Sequence, residues 1–157
     1  LTSTLDGLRF TLELAGKDVA FETSVLGSFQ AMNIAAAVKV ATYMGMPIEK
    51  VQEAVKGLNP VEHRLQRIDA GGKIILDDGF NGNLEGMKEG ISLCAQHTGR
   101  KVIVTPGLVE SSEELNIELI EEINKVFDIA IVTGALNAEL FDKHLTVDKK
   151  VIFSRMS

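Results

Sequence analysis

The sequence predicts an α/β fold: a mostly parallel sheet covered by helices on both faces, preceded by a β-hairpin and two helices. Three observations predict it. An alternating apolar and polar run turns on a glycine near the N-terminus, apolar residues then recur at spacings of three and four, and beyond residue 60 short β-branched runs alternate with longer amphipathic ones. The last pattern is that of βαβ units, whose strands are buried on both sides and read as continuous apolar runs.

Residues 8–14 alternate apolar with polar side chains, Ala15-Gly16-Lys17-Asp18 supplies a turn, and residues 19–23 resume the alternation, which is a hairpin pattern. Between Gln30 and Met44 the period changes: Ile34, Ala37, Val38, Ala41 and Met44 mark one helix face, and Gly45 ends it. Pro47 stands where a helix start tolerates a missing N–H, and Ile48, Val51, Val55 and Leu58 give a second short helix. Gly57-Leu58-Asn59-Pro60 breaks that helix and places a boundary between residues 1–58 and 59–157. Residues 64–69 are strand-like, Gly71-Gly72 is a turn, and residues 73–77 form a short apolar strand. Helices are expected near 84–97, 112–127 and 136–144, and strands at 101–105, 128–133 and 149–153, joined by right-handed crossovers.

With 157 residues, 45% of them apolar, the chain is long enough to bury a core without disulfide or metal staples. Its net charge of −6, with no offsetting Lys/Arg cluster, excludes nucleic acid as a partner, because phosphate binding depends on concentrated positive charge. The single cysteine, Cys94, excludes an internal disulfide, and three scattered histidines give no metal-ligand spacing. A reducing, cytoplasmic setting follows. No apolar run reaches the ~20 residues that a membrane span needs, and no leader pattern is present. The chain starts at Leu1 rather than Met and stops at Ser157 just after a strand-like run, which predicts a piece cut from a longer protein.

In an open parallel sheet ligands collect at the carboxyl ends of strands, so three loops are candidates: residues 77–83, 106–112 and 134–137. None is a glycine-rich phosphate cradle, and no Gly-Lys-Ser/Thr P-loop occurs in the chain. Asp77 and Asp78 are adjacent at a strand end, so their side chains point to opposite sides and cannot act as one carboxylate pair. One such acid can accept hydrogen bonds from both ribose hydroxyls; the plainer reading is that both acids cap a helix or face solvent. Asn81 and Asn83 are either turn formers or amides that hold a polar substrate. Arg64 can clamp a phosphate bidentately or simply sit on the surface before a strand. Glu110 can favour a helix start through the macrodipole.

Four segments carry a resemblance. Leu26-Gly27-Ser28-Phe29-Gln30-Ala31-Met32-Asn33-Ile34-Ala35-Ala36-Ala37, Pro60-Val61-Glu62-His63-Arg64-Leu65, Leu76-Asp77-Asp78-Gly79-Phe80-Asn81-Gly82-Asn83-Leu84-Glu85-Gly86-Met87 and Val104-Thr105-Pro106-Gly107-Leu108-Val109-Glu110 resemble, in order, successive motifs of the Mur ligases. The MurF type, ATP-dependent ligases that join D-alanyl-D-alanine to UDP-N-acetylmuramoyl-tripeptide in peptidoglycan synthesis, is the most similar. The resemblance implies a chain made of the end of a central ATPase domain (residues 1–58) and most of a Rossmann-like C-terminal domain (59–157). In such ligases the γ-phosphate of ATP activates a substrate carboxylate as an acyl phosphate, which the incoming amine attacks. The N-terminal domain, the rest of the central domain, the P-loop, the magnesium carboxylates and a carbamylated lysine would lie outside this chain, so the chain alone is expected not to ligate.

The resemblance implies roles by position. Asn33 corresponds to the asparagine that reads adenine, Arg64 to the arginine directed at the ATP phosphates, and Asp78 to the acid on the ribose hydroxyls. Phe80, Asn81, Asn83 and Glu110 correspond to residues near the dipeptide and the acyl phosphate. The sequence departs from the family pattern at Gln30, where asparagine is usual, at Leu84, where proline is usual, and at Glu110-Ser111-Ser112, where Glu-Leu-Gly is usual. The family's final Lys-Gly-Ser segment does not occur. Two other readings stay open: a stand-alone nucleotide-binding or regulatory module without catalysis, and a structural domain in which the Asp and Asn residues only form turns.

Overall fold

The computed structural model describes residues 1–80 and 82–153. Its elements run β1 (Thr2–Thr4), β2 (Gly7–Leu14), β3 (Lys17–Thr23), α1 (Gln30–Tyr43), α2 (Ile48–Lys56), β4 (Gln66–Ala70), β5 (Lys73–Asp77), α3 (Leu84–Ala95), β6 (Val102–Thr105), α4 (Glu113–Val126), β7 (Ile129–Thr133), α5 (Ala138–His144) and β8 (Lys149–Phe153). The chain divides into two compact units, Leu1–Phe80 and Asn81–Ser157. The boundary expected near Pro60 therefore falls inside the first unit.

In the first unit β2 and β3 form the expected antiparallel hairpin, with Phe10 opposite Phe21. Their rings stack at 5.6 Å between centroids. The short β1, which the sequence does not announce, pairs antiparallel with β2. Alternation puts Leu8, Phe10 and Phe21 on the inner side, where they share a core with Ala31, Ile34 and Val38 of α1 and with Val51 and Val55 of α2. The packed face of α1 is rotated from the one its spacing suggests: Met44 is 80% exposed, and so are Met32 (75%), Val40 (59%) and Tyr43 (93%). A helix that is apolar all round gives no single stripe from which to choose.

β4 and β5 pair antiparallel with each other, from Gln66–Asp77 to Ala70–Lys73 across the Gly71-Gly72 turn. Neither joins the parallel sheet, which among the described residues consists of β6, β7 and β8 in that order. Arg67 ties this hairpin to the β1–β2 turn by donating to the Leu5 carbonyl (2.9 Å) and to the Asp6 carboxylate (2.7 Å).

The second unit is a two-layer structure. Ile103, Ala130, Val132 and Ile152, which the register puts on one face, share a core with Ile91 of α3, Leu119, Ile120 and Ile123 of α4, and Phe141 of α5. Two successive parallel connections that step the same way place both of their helices on the same face, so the expected two-sided cover is one-sided among the described residues. On the opposite face Val102 and Val104 are 47% and 63% exposed.

Phe141 is fully buried at the centre of that core. Phe141→Ala is expected to cost about 3–5 kcal/mol. Hydrogen exchange is the check: amide protection should fall in β7 and β8 and persist in β2 and β3, whose core contains no residue of the second cluster.

Candidate functional site

In the first unit Leu65, at the end of one motif segment, is met by Gly27 of a second and by Asp78 of a third. The chain from Pro60 enters a turn in which Arg64 N–H donates to the Val61 carbonyl (3.2 Å). His63 and Leu65, on either side of Arg64, have φ of 60° and 47°. A left-handed conformation costs a residue with a Cβ about 1–2 kcal/mol, so this pair needs compensation. Leu65 supplies part of it: its side chain is 2% exposed, and burial of that kind contributes about 1.5–3 kcal/mol. Its amide also donates to Asp78 Oδ1 at 3.0 Å in a partly buried position, a bond to a charged acceptor that is stronger than one to a neutral oxygen.

Leu65 connects in turn to the segment before α1. Gly27 has φ of 93°, and a Cβ placed on it would stand 3.1 Å from Leu65 Cδ2 and 2.7 Å from Phe29 Cε1. Only glycine therefore allows this approach. The Gly27 carbonyl accepts from Gln30 N–H (3.0 Å) where α1 begins. One turn on, Asn33 Nδ2 donates to Gln30 Oε1 at 2.9 Å, and this exposed amide pair leaves the Asn33 carbonyl and the Gln30 amino group as one acceptor and one donor.

The loop after β5 closes the arrangement. His63 Nδ1 lies 2.8 Å from Asp77 Oδ2. Asp77 Oδ1 accepts from Gly79 N–H (3.1 Å), and Phe80 N–H donates to the His63 carbonyl (3.2 Å). The bond from His63, then that from Gly79, holds the Asp77 carboxyl below its ordinary range. Arg64 lies over the Phe80 ring, 4.1 Å from guanidinium carbon to ring centroid, with Phe80 64% exposed. Among the described residues Arg64 makes no ion pair. Stacked on a ring, a guanidinium keeps its N–H edge for an anion.

The sequence-predicted residues thus separate. Arg64, Asp78 and Phe80 come together around Leu65, whereas Asn33 pairs with Gln30 on α1, whose leading Gly27 lies close to Leu65. Asp78 is engaged through one carboxylate oxygen by Leu65; the other has no hydrogen-bond partner among the described residues. Asn81 lies outside the described residues. Asn83 belongs to the second unit, where its Oδ1 accepts from Gly86 N–H (2.8 Å) and caps α3. Glu110 is exposed, and Ser112 rather than Glu110 caps α4.

Sequence reasoning missed His63, Gly27 and Leu65 on the first unit and Asn116 on the second. Asn116 is buried and binds the Leu108 amide through Oδ1 (2.8 Å) and the Leu108 carbonyl through Nδ2 (3.0 Å). Asn137, after β7, donates to the Pro106 carbonyl (2.9 Å). Together they fix the loops at the carboxyl ends of β6 and β7. A polar residue at an otherwise apolar helix position, as Asn116 is, was the available signal. No group of three or more His, Cys, Asp or Glu able to hold a metal ion is formed among the described residues. Among the described residues no helix is long and apolar enough to cross a membrane.

Comparison with known proteins adds context to this geometry. No family model matches the chain. In sequence it is similar to the UDP-N-acetylmuramoyl-L-alanyl-D-glutamate–2,6-diaminopimelate ligase of Caldanaerobacter subterraneus subsp. tengcongensis, 26% identical over 111 residues, covering 66% of this chain and 22% of that protein. In structure it is similar to the UDP-N-acetylmuramoylalanyl-D-glutamyl-2,6-diaminopimelate–D-alanyl-D-alanyl ligase of Acinetobacter baumannii (TM-score 0.81, 19% identity, 96% of this chain and 34% of that one). It is also similar to the MurF ligase of Thermotoga maritima in complex with ADP (TM-score 0.72, 22% identity, 93% and 34%), and to a folylpolyglutamate synthase of Thermotoga maritima (TM-score 0.69, 17% identity, 97% and 38%). At these identities the likeness establishes the shared fold. The chain spans about a fifth of the length of the curated relative, 22%, and about a third of the two solved Mur ligases, 34% each.

Two outcomes follow from the geometry. Gly27→Ala should destabilise the first unit by about 1–3 kcal/mol, read from denaturant midpoints, because the new Cβ meets both a strained φ and Leu65. Asp77 governs an acid response. Its folded pKa is lowered below the unfolded value, so its stabilisation is complete above about pH 4 and is lost as pH falls through the depressed value. Asp77→Ala should therefore be less stable than the parent at neutral pH and lose less stability on acidification, measured by denaturation at a series of pH values.

Proposed function

We propose that this chain is part of an ATP-dependent ligase of the Mur type, contributing nucleotide contacts to a site completed by protein outside it. The observation that carries the reading is the junction at Leu65: Arg64 precedes it, the Asp78 carboxylate holds its amide, and Gly27, which leads into the helix carrying the Gln30/Asn33 amide pair, packs close to its side chain. Those three chemistries fit an adenine nucleotide: an amide donor and acceptor for the base, a guanidinium edge for phosphate, and a carboxylate oxygen for ribose hydroxyls. The solved relative that holds ADP supports the same ligand.

In this reading residues 1–58 end a central ATPase domain and residues 59–157 form most of a Rossmann-like C-terminal domain. ATP supplies a phosphoryl group that turns a substrate carboxylate into a species with phosphate as leaving group. Arg64 stabilises the charge that grows on the transferred oxygens, Asn33 orients the base, and Asp78 orients the sugar. Magnesium would be held by parts of the ligase outside this chain. Phe80, Asn81, Asn83 and Glu110 would contact the amino substrate or the activated carboxylate, and the cytoplasm, where the nucleotide-linked precursors are found, would be the setting.

For the amino substrate, D-alanyl-D-alanine added to UDP-N-acetylmuramoyl-tripeptide is the first reading, supported by the motif order and by the structural likeness to D-alanyl-D-alanine-adding ligases. Diaminopimelate added to the dipeptide precursor is the second, favoured by the sequence likeness to a diaminopimelate ligase. Turnover of the complete ligase with each amine decides between them.

For the nucleotide, the test is amide-shift mapping of this chain with ADP. Weak binding, of order 1 mM or about −4 kcal/mol, is expected of a partial site. Perturbations should concentrate at residues 30–37, 62–65 and 77–80, and an absence of shifts there at about ten times that concentration would sink the proposal. In the complete ligase Asp78→Asn keeps an oxygen for Leu65 and should raise KM for ATP about tenfold with little change in kcat. Arg64→Ala should instead lower kcat by about 10²-fold.

A further inference from the structure

We propose that His63 and Asp77 are positioning residues for Arg64, and that they set both the guanidinium and the ring beneath it. The inference rests on the reading of Arg64 as the phosphate-facing cation, and it assigns His63 and Asp77 no contact with substrate or nucleotide.

Among the described residues three non-glycine residues have positive φ, and two of them, His63 and Leu65, flank Arg64. Such a sequence of conformations persists only where its surroundings over-determine it. Leu65 is fixed by burial and by Asp78. His63 is 61% exposed at its side chain and has no burial to fix it. What holds it is polar: Nδ1–H donates to Asp77 Oδ2 (2.8 Å), and the carbonyl accepts from Phe80 N–H (3.2 Å). Asp77 is aimed by its second bond, from Gly79 N–H (3.1 Å).

The same residue therefore anchors two things. Through its side chain His63 clips the Pro60–Leu65 turn onto the end of β5, and through its carbonyl it sets Phe80, on which Arg64 lies at 4.1 Å. With His63 and Leu65 both tethered, the exposed Arg64 between them is held by its neighbours on either side. A loosened His63 would release the turn and the ring platform together. The phosphate-facing edge of Arg64 would then be one of many orientations.

The substitution set separates positioning from backbone accommodation. His63→Gly accepts the positive φ but has no side chain to reach Asp77. His63→Asn also tolerates that φ, and its Nδ2 stands where Nδ1 stood. The readout is the ring-current shift of the Arg64 δ-protons over Phe80, measured by NMR on the chain without nucleotide, with Phe80→Leu giving the unstacked value. We expect the shift to collapse to the Phe80→Leu value in His63→Gly and in Asp77→Ala, and to be restored in His63→Asn. A normal shift in His63→Gly, or a collapsed one in His63→Asn with the fold intact by circular dichroism, overturns the proposal. ADP mapping on the same samples keeps the two ideas distinct. If the stacking depends on His63 but ADP never perturbs Arg64, the positioning device stands and the nucleotide reading fails.

Discussion

The hydrogen bond from the Leu65 amide to Asp78 is the constraint on which the first unit's site depends. It joins a turn that is strained on both sides of Arg64 to the end of an antiparallel hairpin, and it does so at a residue whose side chain is already committed to the interior. Burial alone would hold Leu65 but leave its amide direction free. The carboxylate fixes that direction, and the glycine at position 27 lets the start of α1 come close enough to share the contact. Local backbone cost and long-range packing are thereby set against each other, and the packing is large enough to win.

Charge is distributed around that point in an uneven way. His63 and Asp77 satisfy each other, Arg67 is taken up by Asp6 and Asp69, and Lys56 by Glu22. Arg64 rests on an aromatic face instead. An arginine that is oriented but not neutralised is suited to an anion that comes and goes, since no internal carboxylate has to be displaced first. In the second unit the polar work is of another kind: Asn116 and Asn137 spend their amides on backbone groups, and so hold loops at the strand ends rather than presenting themselves.

Much of this was legible in the sequence. Among the described residues all five helices and seven of the eight strands stand where alternation, three-and-four spacing, glycine turns and Pro47 placed them, because those signals are local. What the sequence did not disclose is non-local. β1 has three residues and no pattern of its own. The pairing of β4 with β5 alone depends on which strand offers an edge, not on what either contains. The one-sided cover of β6–β8 follows from strand order. At the site, Arg64 and Asp78 were nameable as chemistry-bearing residues, yet their link runs through a leucine amide, which no side-chain motif reports. His63 was overlooked because a histidine before a strand has no local mark of a left-handed backbone. Of the amides in the 81–83 segment, Asn83 carries a helix cap, a role that neither of its readings, turn former or substrate amide, had named.

Helix α1 has two apolar sides with different obligations. Ala31, Ile34 and Val38 meet the hairpin and account for the helix's place in its own unit. Met32, Val40, Tyr43 and Met44 add nothing to that core and leave apolar surface in water that the unit's own packing does not cover. Such a surface makes the stickiness of the isolated polypeptide separable from its foldedness: polar replacements on that outer stripe can change colloidal behaviour while the interior, and with it the geometry around Leu65, is left as it was.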